Sequence, residues 1–180
     1  MHSYRWMPES GTGLEHLVVR RDGDTITAQG VVIGSEGGAN FGARYAIECD
    51  GEWRVRHAVI EVAGGARLAL FADGAGHWRG QDGATTAALD GCIDIDLTAS
   101  CFTNTLPIRR LGAALTERQP IDVAWVWIPE LRVEKARQAY TRLDDARVRF
   151  ESVGTGFQAD LTVDGDGFVL DYPGLFRRTG

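Results

Sequence analysis

Apolar and polar residues alternate along much of the chain, which is the pattern of half-buried β-strands. The segment 157–163, Phe-Gln-Ala-Asp-Leu-Thr-Val, is one example. Asp-Gly, a strong signal for a hairpin turn, occurs seven times between such segments. A sheet of many short strands must protect its edges, and closing on itself is one solution. The pattern predicts a mainly β protein with an antiparallel barrel-like or half-barrel sheet and at most one or two short helices.

Two segments depart from simple alternation. Apolar residues over 133–143 fall at helical spacing, and we expect a short helix or loop over 130–137, followed by a strand. The run 123–128, Val-Ala-Trp-Val-Trp-Ile, is apolar on both faces. It predicts a strand that is covered on both sides or lines an apolar cavity.

The length of 180 residues predicts one β domain, 1–180, and the chain shows signs of an internal repeat. Arg-Val-Arg followed by Gly and then Asp-Gly occurs in 45–78 and again in 140–169. This pattern predicts two related meanders joined by a connector over 85–135. The alternative is that hairpins in any β protein carry similar turn residues.

Charge and hydropathy limit the classes of partner and the location that the sequence predicts. The 25 acidic and 19 basic residues give a net charge of −6, which argues against a nucleic-acid partner. No apolar run reaches 18 residues, so the sequence predicts no integral membrane segment. Residues 1–13 lack the apolar core of a signal peptide, so we expect a cytoplasmic protein.

Motifs for catalysis and cofactors are missing from the sequence. The three cysteines show no CxxC spacing, and the four histidines show no metal-binding spacing. No Gly-rich nucleotide motif and no nucleophile elbow occur. The sequence therefore predicts no cofactor, no metal and no catalytic residues, and it favours a protein that is not an enzyme.

The densest polar block lies in 91–111, Gly-Cys-Ile-Asp-Ile-Asp-Leu running on to Phe-Thr-Asn-Thr-Leu-Pro-Ile-Arg-Arg-Leu. Arginines can clamp a phosphate or sugar hydroxyls, while carboxylates and an amide orient them. The same side chains could instead form an internal salt-bridge network, because buried charges need partners. The candidate binding residues of this block are Asp94, Asp96, Asn104, Arg109 and Arg110.

Four tryptophans are further candidates, because indole rings stack on sugars and fill acyl pockets, although they more often pack in a core. They are Trp53, Trp78, Trp125 and Trp127.

The block also resembles a bacterial family of glycolipid-binding proteins. Other segments agree in order: Gly-Leu-Glu-His-Leu at 13–17, Cys-Asp at 49–50, Gly-His-Trp at 76–78 and Asp-Tyr-Pro-Gly-Leu-Phe-Arg-Arg at 171–178. Ser100-Cys101 stands where the family usually has Thr-Pro. The resemblance implies a lipid-like ligand and adds Arg56, at a matching position beside Trp53, and Tyr172 to the candidate site.

These observations lead to three hypotheses. The first is a non-catalytic binding or carrier protein for a glycolipid or similar amphiphile. Its apolar cavity would hold the tail, and the Arg/Asp/Asn cluster the head group. The second is a hydrolase of a glycosylated or lipid substrate that uses Asp94 or Asp96. The third is an interaction module that displays the loop 102–111 to a protein. The sequence leaves the oligomeric state open.

Overall fold

The computed structural model describes residues 1–179, and these form one large β-sheet with a short helical connector. The strands are β1 (His2–Pro8), β2 (Leu14–Asp22), β3 (Thr25–Glu36), β4 (Ala39–Cys49), β5 (Val55–Val62), β6 (Arg67–Ala72), β7 (Trp78–Gly80), β8 (Asp94–Leu97), β9 (Gln119–Val126), β10 (Val133–Arg142), β11 (Arg147–Ser152), β12 (Phe157–Val163), β13 (Val169–Tyr172) and β14 (Phe176–Arg178).

The sheet contains two meanders, β1–β7 and β9–β14, which meet where the first and last strands pair. Trp6 of β1 lies opposite Arg178 of β14 in that pair. All neighbouring strands are antiparallel except β8 and β9, which are parallel. The two-repeat organisation, with units 45–78 and 140–169, stays a prediction, and the two units fall within the first and the second meander.

The two ends of the sheet, β7 and β8, approach each other without pairing. The indole Nε1 of Trp78 donates to the carbonyl of Cys92 at 2.7 Å, and the Gly91 amide donates to the carbonyl of Gly76 at 2.8 Å. Gly76 has a φ of 102°, and only a residue without a side chain fits this close to Gly91. The predicted half-barrel is therefore confirmed, and the sheet is not a closed barrel.

The connector between β7 and β9 contains the one α-helix of residues 1–179, α1 (Thr105–Leu111), with short 3-10 turns at 87–89, 101–104 and 112–116. Pro107 lies in the first turn of α1, where its missing N–H is tolerated. The alternative of a helix over 130–137 is wrong, because β10 pairs there with β9. Within the described part of the chain, no helix has the length and apolar character needed to cross a bilayer.

The connector packs into the concave side of the sheet. Phe102 and Leu106 are fully buried, and the Phe102 ring stacks between Tyr45 and Phe168 at centroid distances of 6.5 and 6.1 Å. The connector thereby fills the interior near the β4–β5 and β12–β13 turns. An exposed apolar patch at Phe102 and Leu106, which an interaction module would need, is absent among the described residues.

Three hairpin turns share one hydrogen-bonding pattern. The Oδ1 atoms of Asp50, Asp73 and Asp164 each accept from the backbone amides two and four residues further on. The residue three positions after each aspartate has a positive φ. It is glycine in two of the turns and Trp53, with a φ of 66°, in the third. A bulky residue in this left-handed conformation is unusual and carries a conformational cost that the surrounding structure must offset.

Candidate functional site

Two neighbouring chambers lie at the end of the half-barrel where the β1–β2, β3–β4, β11–β12 and β13–β14 turns meet. We name them the Asp96 chamber, of about 310 Å³, and the Glu15 chamber, of about 240 Å³. Both have Thr98, Leu175 and Phe176 in their walls. The further walls of the Asp96 chamber are Asp96, Leu97, Ser100, Asn104, Trp125, Ala136, Gln138, Phe150, Ser152, Thr155, Phe157 and Tyr172.

One side of the Asp96 chamber is a continuous hydrogen-bonded network. The Asp96 carboxylate accepts from the Thr103 hydroxyl at 2.8 Å and from the Gln138 amide at 2.6 Å. The Tyr140 hydroxyl lies within donating distance of the amide oxygens of Asn104, at 3.0 Å, and Gln138, at 3.1 Å. Burial raises the pKa of Asp96, and the two donors oppose this increase. The network presents a carboxylate and two side-chain amides, which suit hydroxyl groups.

A second part of the Asp96 chamber wall is aromatic. The Tyr172 ring lies 6.0 Å from the ring of Phe150, 6.3 Å from Phe157 and 6.4 Å from Phe176, measured between centroids. Trp125 of β9 adds an indole to the wall. Such a surface can receive a hydrocarbon chain or the apolar face of a sugar ring.

Glu15 is a buried carboxyl group in the wall of its chamber, and it is only 2% exposed. Its Oε1 accepts from the Ser100 hydroxyl at 2.6 Å and from the Tyr45 hydroxyl, whereas its Oε2 is buried without a partner. Burial raises the pKa of Glu15 to about 7. Sequence reasoning did not select this residue. The available signal was that Glu15 shares one face of β2 with Leu17 and Val19, where an apolar side chain is expected.

Asp94 is placed differently from Asp96, although both lie on β8. The Asp94 side chain is completely buried, and Arg110 of α1 binds it through two hydrogen bonds of 2.5 and 3.1 Å. The side chain of Arg110 is itself only 13% exposed. This bidentate pair anchors the end of α1 to β8, so the salt-bridge alternative describes the contacts of Asp94 and Arg110.

A basic cleft lies at the opposite end of the strands, beside the β2–β3 and β4–β5 turns. The Arg109 guanidinium lies 5.3 Å from the centroid of the Trp53 ring, and Arg54 pairs with Glu52 at 2.6 Å. The Arg109 Nη1 also donates to the carbonyl of Asp166 at 3.2 Å. The cleft is lined by Arg21, Gly51, Glu52, Trp53, Arg54, Arg109 and Arg110.

The remaining candidates lie outside both chambers and the cleft. Arg56 donates to the carbonyl of Asp73 and lies 3.8 Å from Asp50, so it links two hairpin turns. Trp78 is fully buried, with its indole N–H bound across the gap in the sheet. Trp127 packs on Trp125 at a centroid distance of 4.4 Å and lies under the guanidinium of Arg132.

The structure therefore divides the predicted site. Asp96, Asn104, Trp125 and Tyr172 meet in the Asp96 chamber. Trp53, Arg109 and Arg110 meet in the basic cleft. Among residues 1–179, no group of three or more His, Cys, Asp or Glu side chains is arranged to hold a metal ion.

Comparisons with known proteins agree with this architecture. The chain superimposes with a TM-score of 0.82 on the 1.80 Å crystal structure of a DUF1089 family protein from Pseudomonas aeruginosa. The two sequences are 41% identical, and the match covers 93% of this chain and 92% of the other. Among curated proteins, none matches the chain significantly. A family model described as "Putative glycolipid-binding" matches residues 3–178, and the chain belongs to that family.

Proposed function

We propose that the protein binds a glycolipid or similar amphiphile in the Asp96 chamber, without catalysing a reaction. The supporting observation is that a cluster of aromatic rings and a hydrogen-bonded polar network line one cavity of about 310 Å³. Ligand pockets of proteins combine such apolar walls with a few convergent polar groups, and they begin at about this size. The family description, glycolipid-binding, fits a ligand that has both an apolar and a polar part.

In this proposal the tail lies against Trp125, Phe157 and Tyr172, and the head group meets Asp96, Asn104 and Gln138. Thr98, Leu175 and Phe176 line both chambers, so a longer ligand that moves these side chains would reach the Glu15 chamber. Arg109 and Arg110, which we expected to clamp the head group, line the separate cleft. The head-group contacts are therefore reassigned to the network around Asp96.

Two phenylalanines offer a matched test. Phe157 lines the Asp96 chamber and is 42% exposed, while Phe71 of β6 is 44% exposed and lies outside both chambers. Phe157→Ala is expected to weaken binding of a pyrene-labelled monoglucosyl diacylglycerol, measured by fluorescence titration. Phe71→Ala is expected to bind like the wild type. Equal effects of the two variants would contradict the proposed tail position.

Native mass spectrometry of protein purified without detergent, followed by organic extraction, tests the ligand class. The expected result is a bound mass that extracts as a lipid. If the purified protein is free of lipid and the labelled glycolipid does not bind, the proposal is wrong.

A hydrolase that uses Asp94 and Asp96 as an acid–base pair is less well supported. Both carboxyl groups would have to reach one substrate. Asp94 is fully buried and held by Arg110, and it lines neither chamber. Turnover of a glycoside or ester that disappears in Asp96→Asn would revive this hypothesis.

A further inference from the structure

Glu15 has an acceptor that the fold leaves unused. Its Oε1 is bound by Ser100 and Tyr45, but its Oε2 is buried and no group of the described chain contacts it with a hydrogen bond. A buried polar atom without a partner costs about 1–3 kcal/mol, and more when it is charged. Glu15 forms part of the wall of its chamber, so a ligand that rearranges this wall as it binds can provide the missing partner.

The charges in the two chambers have one sign. The carboxyl-bearing wall residues are Asp96 in the first chamber and Glu15 and Glu36 in the second. Within residues 1–179, neither chamber has an arginine, lysine or histidine in its wall. The charged side chain nearest to Asp96 along β8, Asp94, keeps Arg110 occupied outside the chamber.

We propose that the two chambers select an amphiphile whose head group is uncharged and rich in hydroxyls, that Glu15 and Asp96 are its recognition points, and that phosphate-bearing lipids are rejected. This inference rests on the proposed function of the site and specifies its ligand class.

The hydrogen-bonding groups of the two chambers favour hydroxyls over phosphate. A sugar hydroxyl both donates and accepts, so it can donate to the free Oε2 of Glu15 or to Asp96 and accept from the side-chain amides of Asn104 and Gln138. A phosphate group carries negative charge and only accepts at neutral pH. It would be desolvated beside buried carboxyl groups with no cation to compensate, which is strongly unfavourable. The neutral hydroxyl of Thr98 adds a further partner of the same kind.

The test uses three lipids with identical acyl chains: monoglucosyl diacylglycerol, phosphatidylglycerol and unmodified diacylglycerol. Their binding to the full chain is measured at pH 7.5 by competition with the pyrene-labelled monoglucosyl probe. Glu15→Gln and Asp96→Asn are compared with wild type. Asp122→Asn is the control, because Asp122 is a carboxylate of β9 that pairs with Lys135 and Arg137 outside both chambers.

We expect the glucosyl lipid to bind at least about tenfold more tightly than phosphatidylglycerol, with diacylglycerol between them. Glu15→Gln and Asp96→Asn are each expected to weaken glucosyl binding roughly tenfold, as for a lost hydrogen bond to a charged group. Asp122→Asn is expected to change nothing. Thermal unfolding of each variant confirms that its fold is retained.

Equal or tighter binding of phosphatidylglycerol would overturn the inference while leaving the proposed function intact. Unchanged glucosyl binding in both carboxyl variants would overturn the assigned recognition points. Failure of the probe and all three lipids to bind would overturn the proposed function together with the inference.

Discussion

The hydroxyl of Ser100 donates a 2.6 Å hydrogen bond to Glu15, although the two residues lie 85 positions apart in the chain. The same hydroxyl accepts from the backbone amide of Phe102 at 3.1 Å, where the 3-10 turn begins. The Ser100 side chain therefore caps the 3-10 turn at 101–104 and also holds the carboxyl group of Glu15 in place. This bond joins the connector to β2 of the first meander.

Stability is expected to fall with rising pH because of Glu15. Its pKa is about 7 in the folded protein against an ordinary value of 4.5, so between these values the folded state binds more protons than the unfolded state. The stabilisation that the protonated Glu15 provides is complete below pH 4.5 and is lost as pH rises through 7. Between pH 5 and 8 the free energy of unfolding of the wild type should fall by roughly 2–3 kcal/mol more than that of Glu15→Gln.

Urea unfolding of both proteins at these two pH values measures the difference. Parallel losses in wild type and Glu15→Gln would show that Glu15 titrates as an ordinary carboxyl group.

Two adjacent arginines are expected to differ sharply in their effect on stability. Arg110→Ala leaves Asp94 buried and unpaired, which should cost about 3–5 kcal/mol. Arg109→Ala removes an exposed cation over Trp53 and should cost about 1 kcal/mol or less. Chemical denaturation of the two variants measures both values.

A rescue experiment separates the charge effect from lost packing. Asp94→Asn combined with Arg110→Ala should recover part of the loss, because no uncompensated charge is left in the interior. No recovery in the double variant would attribute the cost of Arg110→Ala to packing alone.

The left-handed conformation of Trp53 makes an unusual order of stabilities testable. Both Trp53→Ala and Trp53→Gly remove a buried indole and should destabilise the protein by about 3–5 kcal/mol. Glycine adopts a φ of 66° without strain, so Trp53→Gly should be more stable than Trp53→Ala by about 1 kcal/mol. The reverse order in denaturant unfolding would argue that the turn changes conformation in the variants.

The three cysteines are expected to be unreactive in the native protein. Cys49, Cys92 and Cys101 are free and at most 2% exposed, and burial raises the pKa of each thiol. A thiol reagent at pH 8 should label none of them in native buffer and all three in concentrated guanidinium. Rapid labelling of Cys92 or Cys101 under native conditions would mean that the connector opens readily.

Most strands could be predicted from sequence, because alternation and Asp-Gly turns are local signals. The helix could not, because α1 is only seven residues long and contains Pro107. The helical spacing over 133–143 was misleading, since β10 pairs along both edges and its burial follows those partners. Tertiary pairing outweighed local pattern in that segment.

The candidate site was predicted in part for a related reason. Asp94 and Asp96 look equivalent in the sequence, yet Arg110 binds one of them and the other faces a chamber. Which carboxylate stays available depends on where α1 packs, and no local pattern encodes that position. Glu15 went unselected because its role comes from Tyr45 and Ser100, which are distant in sequence.

The pairing of β1 with β14 has a consequence for the order of folding. Until residues 176–178 have been synthesised, β1 has a neighbour only in β2, and its other edge is open. The pair of β1 and β14, which lies in the middle of the sheet, can therefore form only after nearly the whole chain has left the ribosome. A chain whose middle is completed last should fold slowly and be prone to edge-to-edge aggregation during synthesis. Removing the last few residues would then split the sheet at its centre rather than shorten it at one side.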